Sequence, residues 1–145
     1  MFSQKPSLRN KVHPTAANIF HMNTTNHFVA TIYSSPNQVE YMDSLKPGSI
    51  PSEEIMKQIK EAYIISPGEL VVKSHFVQRQ SNVDCGAFSV ANLWNVLRNG
   101  DPRCTFFFQS SLRSELYRSF QNGVLTFRKR CCRARRKPSS YYFNL

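Results

Sequence analysis

From Gly86 to Asn99 the chain carries apolar side chains at Ala87, Phe88, Val90, Ala91, Leu93, Trp94, Val96 and Leu97. Wound at 100° per residue, they cover most of a helix circumference, so a helix here has no broad wet face and must be wrapped by other elements. Gly100 predicts its C-terminal cap and Asp101-Pro102 its stop. A buried helix in so short a chain forces the remaining elements to be built around it. Asp84 stands at the expected N-cap and Cys85 in the first turn. Free backbone N–H groups and the helix dipole favour an anion there, so a thiolate would be stabilised. A free cysteine is often a small, inert core residue. The polar approach Gln80-Ser81-Asn82-Val83-Asp84 is not what such a residue needs.

Residues 27–33, His-Phe-Val-Ala-Thr-Ile-Tyr, and 39–42, Val-Glu-Tyr-Met, are rich in β-branched and aromatic types. Between them lies the turn composition Ser34-Ser35-Pro36-Asn37-Gln38, which predicts a β-hairpin. Closing it around residues 35–36 sets His27 opposite residue 44, one step from Asp43. An imidazole and a carboxylate thus reach one sheet edge, and Cys85 completes the set needed for an activated thiol. Taken singly, His27 could be a solvated strand-end histidine and Asp43 the cap of the turn that follows it. His13, His21 and His75 are the competing imidazoles.

Three segments carry a resemblance: Asn26-His27-Phe28-Val29, Tyr41-Met42-Asp43-Ser44-Leu45, and Gln80 through Ala91 with Asp84-Cys85-Gly86 at its centre. Together with Asn99-Gly100-Asp101-Pro102 and Gln109 to Leu116, they are similar to the ubiquitin-like-protein (SUMO) cysteine protease family, closest to its divergent transposon-derived and metazoan members, over roughly residues 17–128. The resemblance implies a papain-like cysteine proteinase fold of the adenain/SUMO-protease type, a mixed sheet flanked by helices, with the N-terminal part of the domain missing. It implies Cys85 as nucleophile, His27 as general base and Asp43 as its orienting partner. A glutamine before the Asp-Cys-Gly run would line the oxyanion hole. Gln80, five residues before the cysteine, is the first choice and Gln78 the alternative. The implied reaction is thiol-dependent hydrolysis after the Gly-Gly terminus of a ubiquitin-like protein or a related polyprotein. The alternatives from other classes are an inactive remnant that only binds a ubiquitin-like partner and a basic nucleic-acid-associated protein.

The 145 residues fit one domain. No stretch reaches 18 uninterrupted apolar residues, and Met1 to Pro6 lacks the apolar core of a signal peptide. The four cysteines, Cys85, Cys104, Cys131 and Cys132, fit neither a disulfide framework nor a Cys-x-x-Cys zinc site. A reducing, intracellular compartment follows as the expectation, with no metal or cofactor. The net charge is +10, and residues 128–137 hold seven cations and no acid. Such a run serves as a nuclear address, as a nucleic-acid-binding tail, or simply as a solvated segment.

Around these features the reading is an α+β chain. Residues 1–16 are expected to be loosely packed, 17–128 to form the catalytic domain and 129–145 a basic tail. Strands are expected at 17–22, 27–33, 39–42 and 70–80. A helix capped by Ser52 should bury Ile55, Ile59, Ala62 and Tyr63 and stop at Pro67-Gly68. A last helix, 111–121, should turn Leu112, Leu116 and Phe120 inward and stop at Gly123.

Overall fold

The computed structural model describes residues 17–35, 37–63, 70–81, 83–131 and 140–144. In chain order its elements are β1 (Ala17–Met22), β2 (His27–Ser35), β3 (Gln38–Met42), α1 (Glu53–Ala62), β4 (Val71–His75), α2 (Cys85–Leu97), β5 (Thr105–Phe107), a 3-10 turn (Gln109–Ser111), α3 (Leu112–Asn122), β6 (Lys129–Cys131) and β7 (Ser140–Asn144). Five strands form one sheet in the order β1-β2-β3-β4-β7, and β5 pairs with β6 in a separate ribbon. Only β3 and β4 run parallel within the larger sheet, so the sheet is mixed and the class is α+β, as expected.

The alternation along β2 splits the core in two. Val29 and Tyr33 join Val39, Tyr41 and Val72 against Ile55, Ile59 and Tyr63 of the α1 segment. Ala30 and Ile32 face the other way and meet Met42, Val77, Leu93 and Val96. The far side of α2 packs Ala87, Phe88 and Ala91 against Phe107, Leu112 and Phe127. The layers are therefore α1, sheet, α2, and then α3 with the ribbon. This explains why α2 is apolar nearly all round: it is covered from two sides. Ser52 caps α1 as predicted, its hydroxyl accepting from the Ile55 N–H.

Several expectations change. The hairpin pairs Ala30 with Met42 and Tyr33 with Val39, one residue off the expected register. A bulge between Tyr33 and Ser35 and the left-handed Asn37 (φ 61°) set that shift. The strand expected over 70–80 ends at His75, and the chain then leaves the sheet through a tight turn in which Val77 N–H donates to the His75 carbonyl. Phe120 is not inward but 78% exposed; the buried stripe of α3 is Leu112, Glu115 and Ser119. The expected basic tail, 129–145, contains β6 and β7, which pair with β5 and β4. The helix stop at Pro67-Gly68 and the loosely packed 1–16 lie outside the described residues, while α1 itself ends at Ala62.

Gly100 is required for a reason other than the one predicted. The left-handed position after α2 belongs to Asn99 (φ 60°). A Cβ on Gly100 would sit 2.0 Å from Asn95 Oδ1. Asn95 is buried, donates to Thr105 Oγ1 at 3.1 Å and accepts from Lys129 Nζ at 2.7 Å, so it cannot swing aside. It ties α2 to both strands of the ribbon. Among the described residues no helix is long and apolar enough to cross a membrane.

Gly100→Ala should therefore lower the unfolding free energy by about 1–3 kcal/mol, measured by urea denaturation. A second expectation concerns Glu40, which accepts from His75 Nε2 at 2.7 Å and lies 3.7 Å from Lys73 Nζ. The His75 hydrogen bond, opposed by burial and aided by Lys73, holds the Glu40 carboxyl below its usual range. A folded value below the unfolded one gives stability that is present at neutral pH and disappears as pH falls through the carboxylate range. Glu40→Gln should cost on the order of 1 kcal/mol at neutral pH and nothing once both forms are protonated, read from denaturation midpoints at about pH 7 and pH 2.5.

Candidate active site

The topology gathers the site at one end of the sheet. β3 and β4 are parallel, so the residues that leave them, Asp43-Ser44 and the segment leading to Gln80, emerge at the same end. β2 runs antiparallel to β3, so its first residue, His27, lies at that end as well. The Gln80 N–H donates to the Ser44 carbonyl at 2.8 Å, closing the two exits onto each other. Cys85 opens α2, whose start is pinned to β2 by Ser89 Oγ donating to the Phe28 carbonyl at 3.2 Å.

His27 and Asp43 are both buried, and His27 Nε2 lies 2.7 Å from Asp43 Oδ1. A carboxylate can only accept, so Nε2 carries the proton, and in the neutral ring Nδ1 is the basic nitrogen. Asp43 is fixed in turn. Its Oδ1 accepts from the Leu45 N–H at 2.8 Å and the Lys46 N–H at 3.2 Å, and its Oδ2 from Tyr41 Oη at 3.2 Å. Burial, with the Asp43 charge beside it, pushes the Tyr41 phenol far above its usual range, so it stays a donor. The imidazole is thus held by a carboxylate that is itself locked on both oxygens.

His27, Gln80 and Cys85 line one open groove of about 640 Å³, with Phe28, Leu45 and Leu116 among its apolar walls. The two candidate glutamines separate cleanly. Gln78 is turned away: its amide accepts from Phe107 N–H at 2.7 Å and donates to the Phe107 carbonyl at 3.3 Å, which clamps β5. Gln80 lines the groove, and Ser44 Oγ donates to its Oε1 at 2.5 Å, which fixes the orientation of the amide. The competing imidazoles are engaged elsewhere. His21 bonds Asn23 and Asn26, His75 bonds Glu40, and His13 lies outside the described residues.

Asp84 occupies the position before α2 but does not cap it with its side chain. Its carboxylate goes instead to Arg113 and to Gln109 Nε2. Gln109 Oε1 also accepts from Ser81 Oγ at 2.9 Å, and Arg113 donates to the Val83 carbonyl at 2.9 Å. The approach to Cys85 is therefore held by the turn before α3 and by that helix's first residues. Ser44, Gln109 and Arg113 are the participants that the sequence did not reveal. Ser44 was adjacent to a named residue, and Gln109 and Arg113 lay in a segment that carried the resemblance without a role of their own. The described residues contain no group of three or more His, Cys, Asp or Glu side chains placed to hold a metal ion.

Comparison of the chain with protein-family models, with curated proteins and with solved structures finds no match.

Gln78→Ala should remove both bonds to Phe107 and lower the unfolding free energy by about 1–3 kcal/mol in urea denaturation, a structural cost that comes from loosening β5.

Proposed function

We propose that this chain is a cysteine-type peptidase of papain-like arrangement, cleaving peptide or isopeptide bonds after the Gly-Gly terminus of a ubiquitin-like protein or a related polyprotein. One observation carries the reading: an imidazole locked by a buried carboxylate opens onto the same groove as a cysteine at a helix start and a glutamine amide. The substrate class comes from the resemblance of the Asn26–Val29, Tyr41–Leu45 and Gln80–Ala91 segments.

In the proposed reaction His27 Nδ1 takes the proton of the Cys85 thiol, and the sulfur attacks the scissile carbonyl carbon. The carbonyl oxygen becomes an oxyanion, met by the Gln80 NH2 and by the Cys85 backbone N–H, which belongs to the first turn of α2 and has no partner within the helix. The tetrahedral intermediate collapses as the His27 imidazolium protonates the leaving amine, leaving a thioester on Cys85. Water, deprotonated by His27, then hydrolyses the thioester and restores the thiol. Asp43 keeps the ring's tautomer and tilt through both halves. The groove's apolar walls, Phe28, Leu45 and Leu116, would seat the chain leading to the scissile bond.

The test uses a fluorogenic Gly-Gly-terminated ubiquitin-like reporter. Cys85→Ala should abolish turnover with the fold retained by circular dichroism. Asp43→Asn should lower kcat, and Gln80→Ala should lower kcat by about 100- to 1000-fold, the cost of one oxyanion donor. Gly-Gly electrophile labelling of Cys85 should require His27. Turnover that is unchanged in a folded Cys85→Ala protein rules the mechanism out.

A further inference from the structure

The positive charge is strongly segregated. Residues 98–137 hold 11 of the 19 Lys and Arg residues but only two of the nine acids, Asp101 and Glu115. Both acids are held by arginines, Asp101 by Arg103 and the buried Glu115 by Arg128. The ribbon of β5 and β6 organises part of this charge. Strand alternation gives its two faces different chemistry. On the inner face Phe107 enters the core, and its ladder partner Lys129 turns to Asn95 and lies 5.1 Å from the Trp94 ring centroid. On the outer face Phe106 stands opposite Arg130 in the ladder, and one step on, Arg128 Cζ lies 5.8 Å from the Phe108 ring centroid.

The outer face is thus a strip of two aromatic rings beside two arginines. Phe108 is 46% exposed and Arg130 is exposed. The Arg128 side chain is 70% exposed although its Nε is tied to Glu115. Arg118, from α3, borders the same shallow depression as Arg128. In the sequence Arg133, Arg135, Arg136 and Lys137 follow directly. Cations alone would suit any polyanion. An exposed ring beside an arginine adds a flat apolar surface, and an unstacked base can lie on its open side while phosphates meet the guanidinium groups. In a duplex the bases are already stacked, and the ring has nothing to receive.

We propose that the outer face of the β5–β6 ribbon binds single-stranded nucleic acid, with bases stacking on Phe108 and phosphates held by Arg118, Arg128 and Arg130. The surface uses neither His27 nor Cys85, so binding and hydrolysis can fail independently.

The experiment is fluorescence anisotropy on the full chain, using a labelled 12-nucleotide single strand, the duplex of the same sequence, and polyglutamate as a competing polyanion. Affinity for the single strand should fall steeply with salt and exceed that for the duplex. Phe108→Ala should weaken binding by about 5- to 100-fold with the salt slope unchanged. Arg130→Ser should weaken it and reduce the slope by about 0.7, the loss of one phosphate contact. Both positions are solvent-facing, and matched circular dichroism spectra establish that the variants fold. Equal affinity for duplex, no effect of Phe108→Ala, or displacement by polyglutamate at matched charge concentration would each overturn the proposal.

Discussion

The near-complete burial of α2 governs this structure. A helix apolar on almost every side has to be covered on both sides, and the sheet supplies one cover while α3 and the ribbon supply the other. That requirement fixes where the helix starts. Its first residue, Cys85, emerges where the sheet layer ends and the α3 layer begins, and there the groove opens. The polar groups that hold the assembly sit at the seams between layers rather than within them. Ser89 ties α2 to β2, Asn95 ties it to the ribbon, and Gln78 ties the exit of β4 to β5. Each satisfies buried backbone or side-chain groups that would otherwise cost about 1–3 kcal/mol apiece.

The second organising element is a chain of orientation. Backbone N–H groups of Leu45 and Lys46 and the Tyr41 hydroxyl hold Asp43, and Asp43 holds His27. Ser44, the next residue, aims Gln80. One turn after β3 therefore sets the direction of two groove-lining groups. The geometry is built before any ligand arrives, the condition under which fixed dipoles act on a developing charge without reorganisation.

Local pattern made much of this legible. The β-branched and aromatic runs gave the hairpin, Ser52 with its acids gave the start of α1, and the apolar density after Cys85 gave the buried helix. The association of His27 with Asp43 followed from hairpin geometry even though the register was off by one, because both residues lie at the strand ends. What escaped was decided by long-range partners. Phe120 fits an inward stripe by spacing, but the core under α3 is filled by Leu112 and Leu116, with Glu115 turned in to meet Arg128. β6 is only three residues of mostly basic side chains and is a strand because β5 pairs with it. Choosing between Gln78 and Gln80 required knowing that the chain leaves the sheet at His75, after which the simple alternation no longer applies.

The ring of His27 and the sulfur of Cys85 are carried by different layers, joined where Ala30, Ile32 and Met42 of the sheet meet Leu93 and Val96 of α2 and by the bond from Ser89 to the Phe28 carbonyl. Alignment between them is thus a matter of how one slab sits on another. A bulkier side chain at Ala30, a few residues along β2 from His27 and remote in sequence from Cys85, would act as a shim: it would lift the helix from the sheet and shift the two groups relative to each other while leaving every polar member of the groove in place.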